Sequence, residues 1–67
     1  MITLREQIAE AKRELALWRK CYPVWVQTGK LAMDAAMQQL QAMEAIVRTL
    51  EELEAVQGQM SLFHATP

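Results

Sequence analysis

The chain has little of what builds a site or a stapled fold. One cysteine, Cys21, excludes an internal disulfide and fits a reducing cytoplasm. One histidine, His64, leaves no set of ligands with metal spacing. Two glycines and two prolines in 67 residues leave few places for the chain to turn. Period-two alternation of β-branched and aromatic residues is absent, which argues against a sheet. No apolar run approaches the roughly 18 residues of a membrane span. Charges are scattered through residues 1–20, so no secretory signal is expected there. Charge of one sign is missing too: seven basic and eight acidic side chains give a net charge of −1. A nucleic-acid partner is therefore not expected, and Arg19-Lys20 reads as a solvated helix face. A soluble, cytoplasmic protein without cofactor follows as the expectation.

What remains is helix-forming. Hydrophobic residues make up 52% of the chain, enough to exclude disorder throughout. Leu4, Ile8, Ala11, Leu15, Trp18, Tyr22 and Trp25 are separated by alternating steps of four and three. That spacing holds side chains on one seam of a helix. Thr3 and Glu6 form the sequence of a capping box, with the hydroxyl accepting from the Glu6 amide and the carboxylate reaching back. Pro23 removes the donor to the carbonyl of Arg19 and crowds that turn. Because Trp18, Tyr22 and Trp25 keep phase across it, the spacing predicts one helix over about 4–27, kinked at Pro23. Two short helices meeting at Tyr22 are the alternative.

Gly29 in Thr28-Gly29-Lys30 is the expected turn, since glycine takes the left-handed conformation that closes a helix. A second helix is predicted over about 31–57, with Asp34 in its first turn and Gly58 as the stop. It carries two apolar rows: Ala36, Leu40, Met43, Val47 and Leu50, and beside them Ala32, Ala35, Ala42, Ile46, Leu53 and Val56. One row suffices to cover the first helix. The surplus row predicts that the antiparallel hairpin dimerises into a four-helix arrangement. The residues expected in core and dimer contacts are Leu15, Trp18, Tyr22, Trp25, Leu40, Met43, Ile46, Val47, Leu50 and Leu53. Residues 59–67 are expected to form a short tail.

No catalytic set emerges. Cys21 and His64 lie on different segments with no third group to orient them. Glu51, Glu52 and Glu54 diverge around the helix and have no histidine or cysteine beside them. The chain is thus expected to bind a protein rather than to catalyse.

The sequence after Gly58, Gln59-Met60-Ser61-Leu62-Phe63, resembles the peptide by which bacterial proteins dock on the DNA polymerase sliding clamp. That motif runs glutamine, aliphatic residue, serine or aspartate, leucine, phenylalanine, with methionine here in the aliphatic place. The resemblance implies that Gln59 contacts the pocket rim, Leu62 and Phe63 enter the cleft, and Met60 adds a secondary contact. The same residues can instead fold back as a cap on the bundle, because Met60 continues the spacing of Leu53 and Val56. A second resemblance rests on Glu14-Leu15-Ala16-Leu17, Tyr22-Pro23-Val24-Trp25-Val26, Gly29-Lys30-Leu31 and Met43-Glu44-Ala45-Ile46-Val47. These stretches are similar to small helical proteins of proteobacterial phages and prophages. Among such proteins are quorum-sensing anti-activators, helical-hairpin dimers that bind a host transcriptional regulator and a pilus-assembly ATPase. It implies the same class of role and transfers no binding residue.

Overall fold

A computed structural model of the chain describes residues 1–65, with side chains described through residue 58. Two helices, α1 (Leu4–Gln27) and α2 (Met33–Ala65), lie antiparallel as a hairpin. The capping box forms as expected: the Glu6 amide donates to Thr3 Oγ1 at 3.1 Å, and the Thr3 amide donates to Glu6 Oε1 at 3.4 Å. α1 passes through Pro23 without interruption, which excludes two separate helices. The aromatic rings bracket the proline and hold the phase. Trp18 stacks on Tyr22 at 5.3 Å between centroids, and Tyr22 meets Trp25 at 5.5 Å.

The reversal is built on Gly29, whose φ of 79° lies in the left-handed region. The Lys30 amide donates to the Trp25 carbonyl at 2.8 Å and the Gly29 amide to Val26 at 3.2 Å. This crossed pair is a Schellman closure, which satisfies carbonyls that the end of α1 leaves without helical partners. Because the Leu31 amide also turns back to Trp25, at 3.1 Å, α2 starts at Met33 rather than at the expected Leu31. Asp34 occupies its first turn.

The expected end of α2 near Gln57 is corrected. The helix runs on through Gly58 to Ala65, so residues 59–65 are not a separate tail. Unlike Gly29, Gly58 does not take a positive φ. A glycine inside a helix costs only about 0.5–1 kcal/mol relative to alanine, and nothing in Gln59–His64 breaks a helix. α2 is therefore 33 residues long against 24 for α1.

Ile8, Leu15 and Tyr22, each seven residues apart, are the buried residues of α1, and they face Ala36 and Val47 of α2. Leu4, Ala11, Trp18, Leu40, Met43 and Leu50 flank them half-buried. The first of the two predicted rows on α2 is thus the one that covers α1. Trp25, expected in the seam, is 41% exposed. It sits where α1 gives way to the turn, and its ring leans on Tyr22 rather than under α2. The resulting molecule is a rod of 60 × 20 × 16 Å. Its radius of gyration of 16.4 Å compares with about 11 Å for a compact domain of this length. No helix among the described residues is long and apolar enough to cross a membrane.

Candidate protein-binding surfaces

Three surfaces differ in how completely the hairpin closes them. On one flank, Arg5, Lys12 and Arg19 recur every seven residues along α1 and meet glutamates descending α2. Arg5 Nε lies 3.5 Å from Glu54, Lys12 Nζ 2.7 Å from Glu51, and Arg19 Nη2 3.3 Å from Glu44. All are exposed pairs, each worth only a few tenths of a kcal/mol up to about 1. They favour the antiparallel register without closing the edge, where a hollow of about 410 Å³ remains between Lys12, Leu15, Arg19, Glu44, Val47 and Glu51.

The opposite flank is open. A groove of about 610 Å³ runs between the helices, with Ile2, Ala11, Met43, Ile46 and Leu50 as its apolar lining and Glu6, Glu10 and Glu14 along the α1 side. Each of these carboxylates already has a partner within the chain. Glu6 belongs to the capping box, Glu10 pairs with Arg13, and Glu14 accepts from Trp18 Nε1 at 2.9 Å. Only Glu10 has a cation as its partner, so Glu6 and Glu14 keep an acidic edge beside the apolar lining. Beyond it along α2, Ile46, Leu53 and Val56 are 49%, 45% and 50% exposed. They belong to the second predicted row, of which Ala35 is half-buried.

The third surface is at the turn, where a smaller hollow of about 380 Å³ is lined by Pro23, Val26, Met33, Met37 and Leu40. Met33 and Met37 are more than half exposed. Sequence reading did not single them out, although their separation by four residues places them on one helix face. Behind the hollow, the buried Tyr22 donates its hydroxyl to Gln39 Oε1 at 2.7 Å and ties the two helices together. Burial, with the charge of Glu14 adding to it, pushes the Tyr22 phenol above its usual range.

Of the predicted residues, Leu15, Trp18, Tyr22, Leu40, Met43, Val47 and Leu50 come together between the helices, while Ile46 and Leu53 face outward. Gln59, Met60, Leu62 and Phe63, the candidate docking peptide, lie outside the described side chains, as does His64. Their backbone continues α2. Cys21 is half-buried. Among the described residues no group of three histidine, cysteine or acidic side chains could hold a metal ion.

No family model, curated protein or solved structure matches this chain.

Proposed function

We propose that the chain is a non-enzymatic protein-binding module that acts as a homodimer and modulates a bacterial host protein. The observation that carries this reading is the half-exposed set Ile46, Leu53 and Val56 beside an open apolar groove. Large apolar side chains in a contiguous patch mark interaction surfaces more often than they stay bare.

The order of residue types in Gln59–Phe63 supports a docking peptide for the sliding clamp, presented twice by a dimer and so gaining avidity. Entering an extended cleft would require the last turns of α2 to unwind. Helix ends fray at low free-energy cost, and Gly58 weakens this one at its base. The test is binding of purified sliding clamp to the intact chain and to the Leu62→Ala, Phe63→Ala double variant. Binding by the first and at least a tenfold loss in the second is expected. Equal binding, or none by either, removes this route.

The alternative, an anti-activator whose helical body binds a host quorum-sensing regulator or pilus-assembly ATPase, draws support from the exposed turn-end surface of Trp25, Met33 and Met37. Aromatic residues at a protein surface are frequent hot spots, and methionines adapt to irregular partners. A chain truncated after Gln57 should keep its cellular effect in that case and lose it if the peptide is what acts.

A further inference from the structure

We infer that the open groove takes an amphipathic helix of another protein, one whose apolar stripe is flanked along one edge by lysine or arginine. This rests on the protein-binding reading above and names the chemistry of the partner at this surface. Charge is segregated between the two flanks of the hairpin. Arg5, Lys12 and Arg19 reach across the far flank, and Arg48 lines its hollow. The groove has no lysine or arginine in its lining and three glutamates along its α1 wall. Arg13 answers Glu10 alone. Hydrogen bonds from Thr3 and Trp18 orient Glu6 and Glu14 without neutralising them. These two carboxylates are eight residues apart, or about 12 Å of helix. On α2, Met43, Ile46 and Leu50 face them with an apolar wall two turns long.

The occupant follows from matching these walls. A helix laid along two packed helices sets a stripe with steps of three and four residues into the groove between them. Its cations, on the α1 side, must recur about every two turns to meet Glu6 and Glu14. Nucleic acids and anionic lipids do not fit, since their phosphates would face carboxylates. A second copy does not supply the cations either. Arg5, Lys12, Arg13 and Arg19 are paired within the hairpin, and Lys20, Lys30 and Arg48 fall singly on α1, the turn and α2. The half-exposed set Ile46, Leu53 and Val56 shares only Ile46 with the groove lining, so variants at Glu6 and Glu14 probe the groove apart from the proposed dimer contact.

The test titrates the full chain against three fluorescein-labelled, alanine-based helical peptides of about 16 residues, long enough to hold helix. All carry the same leucine stripe and differ only at two flanking positions seven residues apart, which are lysine, glutamine or glutamate. Binding is read by fluorescence anisotropy and the mass of the chain by light scattering. At low ionic strength the lysine peptide should bind about fivefold or more tighter than the glutamine peptide, and the glutamate peptide weakest. The gap should shrink as salt is added. Glu6→Gln with Glu14→Gln should abolish it, while circular dichroism stays unchanged, because glutamine serves the capping box and still accepts from Trp18. Equal binding of the lysine and glutamine peptides, or a preference that survives the double variant, overturns the inference. So does failure of every peptide, in which case the clamp titration and the truncated chain decide separately whether the protein-binding reading stands. A doubled mass together with rejection of the peptides assigns the groove to a second copy, which overturns the inference and supports the homodimer reading.

Discussion

Along its two flanks the same pair of helices meets water in opposite ways. On one, cations spaced by sevens on α1 reach glutamates on α2 and bridge the seam with charge. On the other, glutamates of α1 turn to their own helix, and Ile46, Leu53 and Val56 are left about half exposed. The difference teaches that charge pattern here sets which side the two helices bridge with ion pairs and which they do not. A two-helix rod cannot bury both rows of α2, so one has to face outward.

The contrast is tested most sharply by two adjacent residues, Ile46 and Val47, which are 49% and 7% exposed. Val47→Asp puts an unpaired carboxylate between the helices. A loss of about 3–5 kcal/mol is expected, the scale of an uncompensated buried charge, seen as collapse of the helical circular-dichroism signal on mild heating. Ile46→Asp should keep the hairpin helical, and under the proposed homodimer it should abolish the dependence of melting temperature on protein concentration. Equal damage from both would mean that the flanks are not distinct.

The two glycines give effects of opposite sign. Gly29→Ala forces a side chain into a φ of 79° and should destabilise the hairpin by about 1–2 kcal/mol. Gly58→Ala should stabilise α2 by about 0.5–1 kcal/mol, because a Cβ there meets nothing within 4 Å. Thermal melts of the two variants check both signs.

The smallest effect belongs to the ion-paired flank. Lys12→Ala should cost less than about 1 kcal/mol in low salt, and the difference from the parent should shrink as ionic strength rises. A loss that persists in 1 M salt would show that Lys12 acts through its stem packing rather than its charge.

Much of this architecture is legible from spacing alone. The first cap, the seam through Ile8, Leu15 and Tyr22, and the turn at Gly29 are local or periodic signals, and the structure carries each of them. Which row of α2 faces α1 is different, because both rows are apolar. It depends on register, and register is set by contacts between residues far apart in sequence, such as the buried Tyr22 with Gln39. The error at Gly58 has a related cause. A glycine permits a helix to end but does not compel it, and Gly29 closes α1 because α2 must return to cover the seam. No such demand acts at Gly58. Trp25 misled for the opposite reason: its phase is right, but the turn begins before α2 can cover it. The surface at Met33 and Met37 went unread because neither residue belongs to the two rows that the periodicity draws out.

The elongation of the hairpin bears on how its assembly is weighed. A particle three times as long as it is wide experiences more drag than a sphere of equal mass. On a gel-filtration column calibrated with globular standards, one chain alone would elute early and imitate a pair. Counting chains therefore calls for a method blind to shape, such as sedimentation equilibrium, in which buoyant mass alone sets the gradient.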